Sequence, residues 1–320
     1  MEPTRTLEAL RDDTEPAVSA APTEVAAGAA VPLTLAKVHT GIWESLRFAW
    51  ADRRLLRPFM AIVLAKRISG TKLGRLWLVI RPFMDAIGKT LLFGGVLKLS
   101  SGSGTPYLLF LMAGLIGWRL FERTLMYGMR SISMYTKLIK TFHFPLLFVG
   151  FSGLAYPLLE AAVSAVVFAA ALIFFWVTTG HLYLEPPPQL LLIVPGLGLL
   201  LIITIGATLW LSVANAKARD FRYGLRYVLP VGLFVTPILY PVEKLPEKLH
   251  WLVVVNPLTG PIEMIKYGLI GSGYIELRAL VVSCVVGLIL LLSGLWYFCR
   301  EAVGTTKRDL GGAYDDDEEF

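Results

Sequence analysis

The chain has 320 residues, of which 55% are hydrophobic and 17% charged, with a formal net charge of +6. Soluble domains carry about 25% charged residues, so this composition excludes an ordinary water-soluble enzyme and predicts a polytopic membrane protein. The positive sum is no argument for nucleic acid as a partner, because in a membrane protein the placement of charge matters more than its total. The two cysteines, Cys284 and Cys299, lie in one apolar run at a spacing that cannot readily pair along a helix. They form neither a disulfide framework nor a metal-binding spacing.

Residues 1–36 are rich in Ala, Thr, Pro and Glu and lack the basic start and apolar core of a signal peptide. They read as a disordered tail. Residues 37–75 form a second region. In it Trp43, Leu46 and Trp50 share one helical face, while Glu44, Arg47, Arg53 and Arg54 fall mostly elsewhere. Tryptophan on one side and arginine on the other suits an amphipathic helix lying at a membrane surface. A cytosolic helix packed on a partner is the alternative. Pro58 then permits a fresh helix start before a shorter apolar stretch.

A spanning helix needs roughly 20 apolar residues. Six stretches qualify within a transmembrane region at 76–300: 76–97, 106–127, 154–177, 190–214, 227–240 and 277–298. The fifth is short and punctuated by Pro230, Pro237 and Pro241. Ala161, Ala165 and Ala169 in the third repeat at the spacing that lets helices approach closely. Between the fifth and sixth lie two half-length apolar pieces, 249–255 and 258–270, with Asn256 and Pro257 between them. Neither is long enough to cross, so a re-entrant or interfacial helical hairpin is the expected solution. The fold class is therefore all-α. Residues 301–320 read as an acidic tail ending in the run from Asp315 to Glu319.

Six spans place both termini on one side. Of the 30 basic residues, 21 fall on that side and four on the other: Lys98, Lys244, Lys248 and Lys266. The bias places both termini in the cytoplasm.

Little in the chain supports catalysis. Gly88-Lys89-Thr90 resembles the end of a phosphate-binding loop, but Phe83 stands where the motif needs glycine and no strand precedes it. His39, His143, His181 and His250 are scattered without metal spacing. Asp315-Asp316-Asp317 sits in a terminal acidic run rather than in a folded context.

The informative charges lie inside the spans. Arg81, Asp85 and Lys89 share a face at i, i+4, i+8. They either line a path for a hydrophilic substrate or form a self-neutralising ladder between helices. Arg119, Glu122 and Arg123 form a second cluster, in which both arginines can reach the one glutamate. Glu160 stands alone and needs a partner from another helix or a proton. Two cytoplasmic loops stand out. Leu138, Ile139, Lys140, Phe142, His143, Phe144 and Pro145 mix apolar and basic side chains, and Arg219, Asp220 and Arg222 are dense in charge. Both either set topology or dock a cytosolic partner, and the phenylalanines favour docking for the first.

Four stretches together resemble a known family. They are RISGTKLGRLWLVIRP at 67–82, LIKTFHFP at 138–145, ARDFRYGLRYVLPVGLFVTPILY at 218–240 and VNP at 255–257. In order and on this topology they are similar to the transmembrane subunit of an ABC type-2 polysaccharide exporter, the group exporting O-antigens, capsules and teichoic acids. Ile68 stands where that family has an aromatic, and the charged stripe and long N-terminal tail depart from it.

The resemblance implies a channel-forming permease of the bacterial cytoplasmic membrane that moves a lipid-linked polysaccharide. The alternative within the same fold is an exporter of drugs or small lipids. A membrane-bound lipid-sugar enzyme would need clustered carboxylates or histidines at a membrane surface. The resemblance further implies a homodimer paired with two copies of a separate ATPase. This chain then carries no cofactor, and ATP and Mg belong to the partner. Trp43, Leu46, Trp50, Arg53 and Arg54 would form the gate helix, and 138–145 the coupling element. The first and fifth spans would line the channel, with Phe83, Tyr227, Phe234 and Tyr240 beside Arg81, Asp85 and Lys89 as wall candidates. The hairpin would close the outer end.

Overall fold

The computed structural model describes residues 42–68, 76–135, 145–184 and 186–315. The chain divides into two units, Met1–Val38 and His39–Phe320; everything below concerns the second. The expectations for 1–36, for 316–320, and for Leu138, Ile139, Lys140, Phe142, His143 and Phe144 fall outside the described residues.

Regular structure among the described residues is entirely helical. Helix α1 (Ile42–Ala51) leads through one 3-10 turn into α2 (Leu56–Ile68). Pro58 sits in the first turn of α2, where no intrahelical donor is lost. One face of α2 buries Phe59 and Val63, and the Phe59 ring meets Tyr135 edge-on at 5.4 Å.

Helix α3 (Trp77–Lys89) buries Leu78, Pro82 and Ala86, a single face at every fourth residue. It continues as a π-helix over Thr90–Val96. Helix α4 (Tyr107–Gly128) is the centre of the bundle, with every residue from Leu109 to Leu120 buried. An element that is apolar almost all round has no face to give to solvent, so its neighbours wrap it. Those neighbours are α6 (Ala155–Thr179), which follows a short α5 (Leu146–Phe151), then α7 (Ile193–Lys217), and α10 (Thr259–Ile270).

The other α-helices among the described residues are a single turn at Pro187–Leu190, α8 (Phe221–Val235), α9 (His250–Val255) and α11 (Leu277–Asp315). A large apolar core surrounds α4. A second one joins α1, α2 and α5 to Leu209 and Val213 of α7 and to Phe298 and Cys299 of α11.

Helices α7 and α11 form the most extensive pair. They approach so closely that a Cβ on Gly206 would lie 2.5 Å from the backbone carbon of Leu290. Between apolar helices, association rests on such close packing. Toward one end Trp210 stacks on Tyr297 at 4.2 Å and donates to Ser293 Oγ at 3.0 Å, and Lys217 pairs with Glu301 at 2.8 Å.

Among the described residues three helical stretches are long and apolar enough to cross a membrane: Leu146–Thr179, Pro188–Lys217 and Leu277–Glu301. The second stretch, at 106–127, is matched by α4, which carries Arg119, Glu122 and Arg123 along its length. The fifth, 227–240, is only partly helical: α8 begins at Phe221 and stops at Val235. Residues 236–240 are irregular because Pro237 has no amide hydrogen to continue the ladder. The sixth does not stop where the hydropathy falls at 298 but runs on to Asp315, into the region read as tail. In α6 the packed face is Pro157, Glu160, Ser164, Phe168 and Leu172, while Ala165 and Ala169 point outward. The alanine repeat therefore does not mark the packed face of this helix.

Candidate functional site

The charges within the expected spans meet between helices. Asp85 on α3 accepts from Lys89, one turn further along, and from Arg119 of α4. Arg119 also donates to the carbonyls of Pro82 at 3.4 Å and Arg81 at 3.5 Å. The Arg81 side chain leaves the cluster and lies over the Trp77 ring, 5.7 Å from its centroid.

The second cluster departs from its sequence spacing. Arg119 turns to Asp85 and not to Glu122, and the nearest carboxylate to Arg123 is Glu160 of α6, at 3.9 Å. The two arginines of α4 thus meet carboxylates on two neighbouring helices, α3 and α6. Glu160, only 3% exposed, thus has its partner on another helix.

The aromatic candidates stand on faces left uncovered. Phe83 of α3 is 42% exposed, and Tyr227 and Phe234 of α8 are 78% and 54% exposed. Of the 15 residues of α8, Leu229 alone is buried. The rings of Phe93 and Phe234 meet at 6.0 Å, which sets the π-helical end of α3 beside α8. Tyr240 is not on that face. It lies past the helix, half-buried, with its hydroxyl donating to the Phe234 carbonyl at 3.0 Å.

On α1, Trp43 and Trp50 stand out at 79% and 72% exposed, and Leu46 sits at the edge of exposure. Arg53 folds over the Trp50 ring at 5.2 Å, and Arg54 is exposed. Arg219 and Asp220 form an exposed turn between α7 and α8, and Arg222 lies over Tyr223 at 5.1 Å. Pro145 is buried at the head of α5. Among the described residues no group of three or more His, Cys, Asp or Glu could hold a metal ion.

Two of the sequence motifs meet in space. Asn256 donates from Nδ2 to Thr236 Oγ1 at 2.8 Å, and its Oδ1 accepts from the Leu258 amide at 3.0 Å. One side chain thus turns the chain from α9 toward α10 and ties that turn to the end of α8. Substituting Asn256 with alanine is expected to cost about 1–3 kcal/mol, read as a lower melting temperature in detergent. Asn256→Asp keeps the acceptor and should lose less.

Sequence reasoning missed Glu263 and Lys266. By sequence position Lys266 falls among the positive charges of the outer face, yet both side chains are buried and their ion pair measures 2.6 Å. The available signal was a Glu and a Lys three apart on a half-length apolar helix.

These features define a multi-pass, all-helical membrane protein with a polar seam and uncovered aromatic faces. No protein-family model matches the chain. Among curated proteins it is similar to two O-antigen export system permease proteins RfbA of Klebsiella pneumoniae. It is 25% identical to one over 72% of this chain and 86% of the relative, and 26% identical to the other over the same shares. A permease of the same description from Myxococcus xanthus is 24% identical over 67% of this chain and 79% of its own. These relatives support the class read from the four motifs, an ABC type-2 polysaccharide exporter permease.

Proposed function

We propose that this chain is the channel-forming permease of an ATP-driven exporter that carries a lipid-linked polysaccharide across the bacterial cytoplasmic membrane. The observation that carries the reading is the similarity to O-antigen export permeases over most of both chains. In this reading six helical stretches span the membrane: α3 with its π-helical continuation, α4, α6, α7, α8 and α11. The termini lie in the cytoplasm, as the placement of basic residues favours. Helices α9 and α10 form a re-entrant pair at the outer end.

Two copies of the chain assemble with two copies of a separate ABC ATPase. The faces of α3 and α8 that carry Phe83, Tyr227 and Phe234 are uncovered in one protomer. A second copy facing them would enclose an aromatic-lined path, and flat rings suit sugar faces. Lys89 and Asp85 border that path. Helix α1 lies at the inner membrane surface as the gate helix, with Trp43 and Trp50 in the headgroup region. The segment from Leu138 to Pro145 seats in the ATPase and transmits its movement, and Arg219, Asp220 and Arg222 sit on the same face. ATP and Mg act on the partner subunit.

The test is biochemical. Purified alone, the chain is expected to hydrolyse no ATP. With the ABC ATPase of its own system it should form a stable complex, and in liposomes that complex should move a lipid-linked glycan to the opposite leaflet when ATP is supplied. Failure to bind that ATPase, or ATP-driven movement of drugs or small lipids but not of glycan, overturns the reading.

A further inference from the structure

Residues 236–240 are irregular backbone, yet Thr236 and Ile238 are fully buried and Leu239 is 1% exposed. A buried segment without helical bonding must have its polar groups met by other means. Three side chains do this from three parts of the chain. Asn256 donates to Thr236 Oγ1 at 2.8 Å, Lys266 to the Pro237 carbonyl at 2.9 Å, and Tyr107 to the Leu239 carbonyl at 2.7 Å.

Lys266 is the centre of this grip. Its ammonium also donates to Glu263 Oε1 at 2.6 Å and lies 4.2 Å from the centroid of the Phe110 ring of α4. The other oxygen, Glu263 Oε2, accepts from the Tyr274 amide at 2.7 Å, just ahead of α11. Gly273 makes this approach possible, because a Cβ there would lie 2.5 Å from the Glu263 carbonyl. One buried ion pair therefore touches four segments: the tip of α8, α10, α4 and the lead into α11.

Burying two charges usually stabilises a fold less than a well-packed apolar pair would. The return here is directional. An ammonium fixes the Pro237 carbonyl in one place, and a carboxylate fixes the Tyr274 amide in another. We propose that Glu263 and Lys266 are positioning residues that lock the tip of α8 to the α9–α10 pair, so that the two move as one closure at the outer end. This rests on the exporter reading above. When the path opens, the tip of α8 and the α9–α10 pair move together, and the ion pair stays intact.

The experiment uses the full permease–ATPase complex in liposomes. Glu263→Gln together with Lys266→Met removes both charges at nearly constant volume and keeps an acceptor for the Tyr274 amide. The double variant is expected to assemble with the ATPase and melt near the parent temperature. Without ATP, however, it should leak a small hydrophilic dye at least tenfold faster. A merely structural pair would not change leakage in assembled, equally stable complex. Parental leakage and export in the assembled double variant overturn the proposal.

If the double variant does not assemble, Lys266→Arg and Glu263→Asp decide. Arginine keeps both contacts and should stay tight. Aspartate withdraws the carboxylate and should leak. Equal tightness in both overturns the lock. If the parent complex transports no glycan, the exporter reading fails, whereas a transporting parent beside a tight double variant sinks the lock alone.

Discussion

Replacing Gly206 with valine is expected to keep α7 and α11 from packing, and so to remove most of the well-folded protein. A Cβ at this position would lie 2.5 Å from both Leu290 C and Leu291 N and 2.7 Å from Leu290 O. All three are backbone atoms of a long helix, so no side-chain rotation relieves the clash. The partner surface is equally unforgiving, because a Cβ on Gly294 would sit 2.6 Å from the Gly206 carbonyl. Overpacking a tight site costs about 1–3 kcal/mol, and more where backbone must move. The check is the yield of monodisperse protein in detergent and its melting temperature. Gly198, on the same helix, faces open space, with nothing within 4 Å of where a Cβ would stand, so Gly198→Val is the control. If Gly206→Val melts with the parent, the close approach is wrong.

Neutralising Asp85 is the second large effect. It lies between Lys89 and Arg119, and Asp85→Asn leaves two cations facing each other without their shared counter-charge. Breaking a fully buried pair costs about 3–5 kcal/mol. Asp85 is more than a third exposed, at 38% of its side chain. The expected loss is therefore nearer about 1–3 kcal/mol after discounting for solvent. Lys89→Met in the Asp85→Asn background should recover part of the loss, because it removes one of the two stranded cations. The same variants separate the two readings of the stripe. If Lys89→Met keeps stability but slows export several-fold, the lysine meets the cargo. If export is unchanged, the trio only holds α3 against α4.

Much of the helical pattern was legible because hydropathy is a local property. The stretch at 106–127 differs from α4 by a residue at each end, and the break at Asn256 and Pro257 falls between α9 and α10 as the sequence indicates. Where the pattern misleads, the cause is local as well. Pro237, one of the three prolines that punctuate the fifth stretch, ends α8 at Val235, whereas Pro230 sits inside the helix without ending it. The alanine repeat of α6 marks spacing but not direction, and the packed side is the one carrying Glu160, Ser164 and Phe168.

The sequence by itself determined the class of molecule: an all-helical chain too apolar for water, with few charges inside its apolar stretches. Only the tertiary structure decided what those charges do. Asp85 and Arg119 are 34 residues apart, and Lys266 and the Pro237 carbonyl 29 apart. Such partners are chosen by which helices lie side by side, and in an apolar bundle close packing makes that choice. The same packing buried Lys266 out of the charge pattern to which its sequence position assigned it.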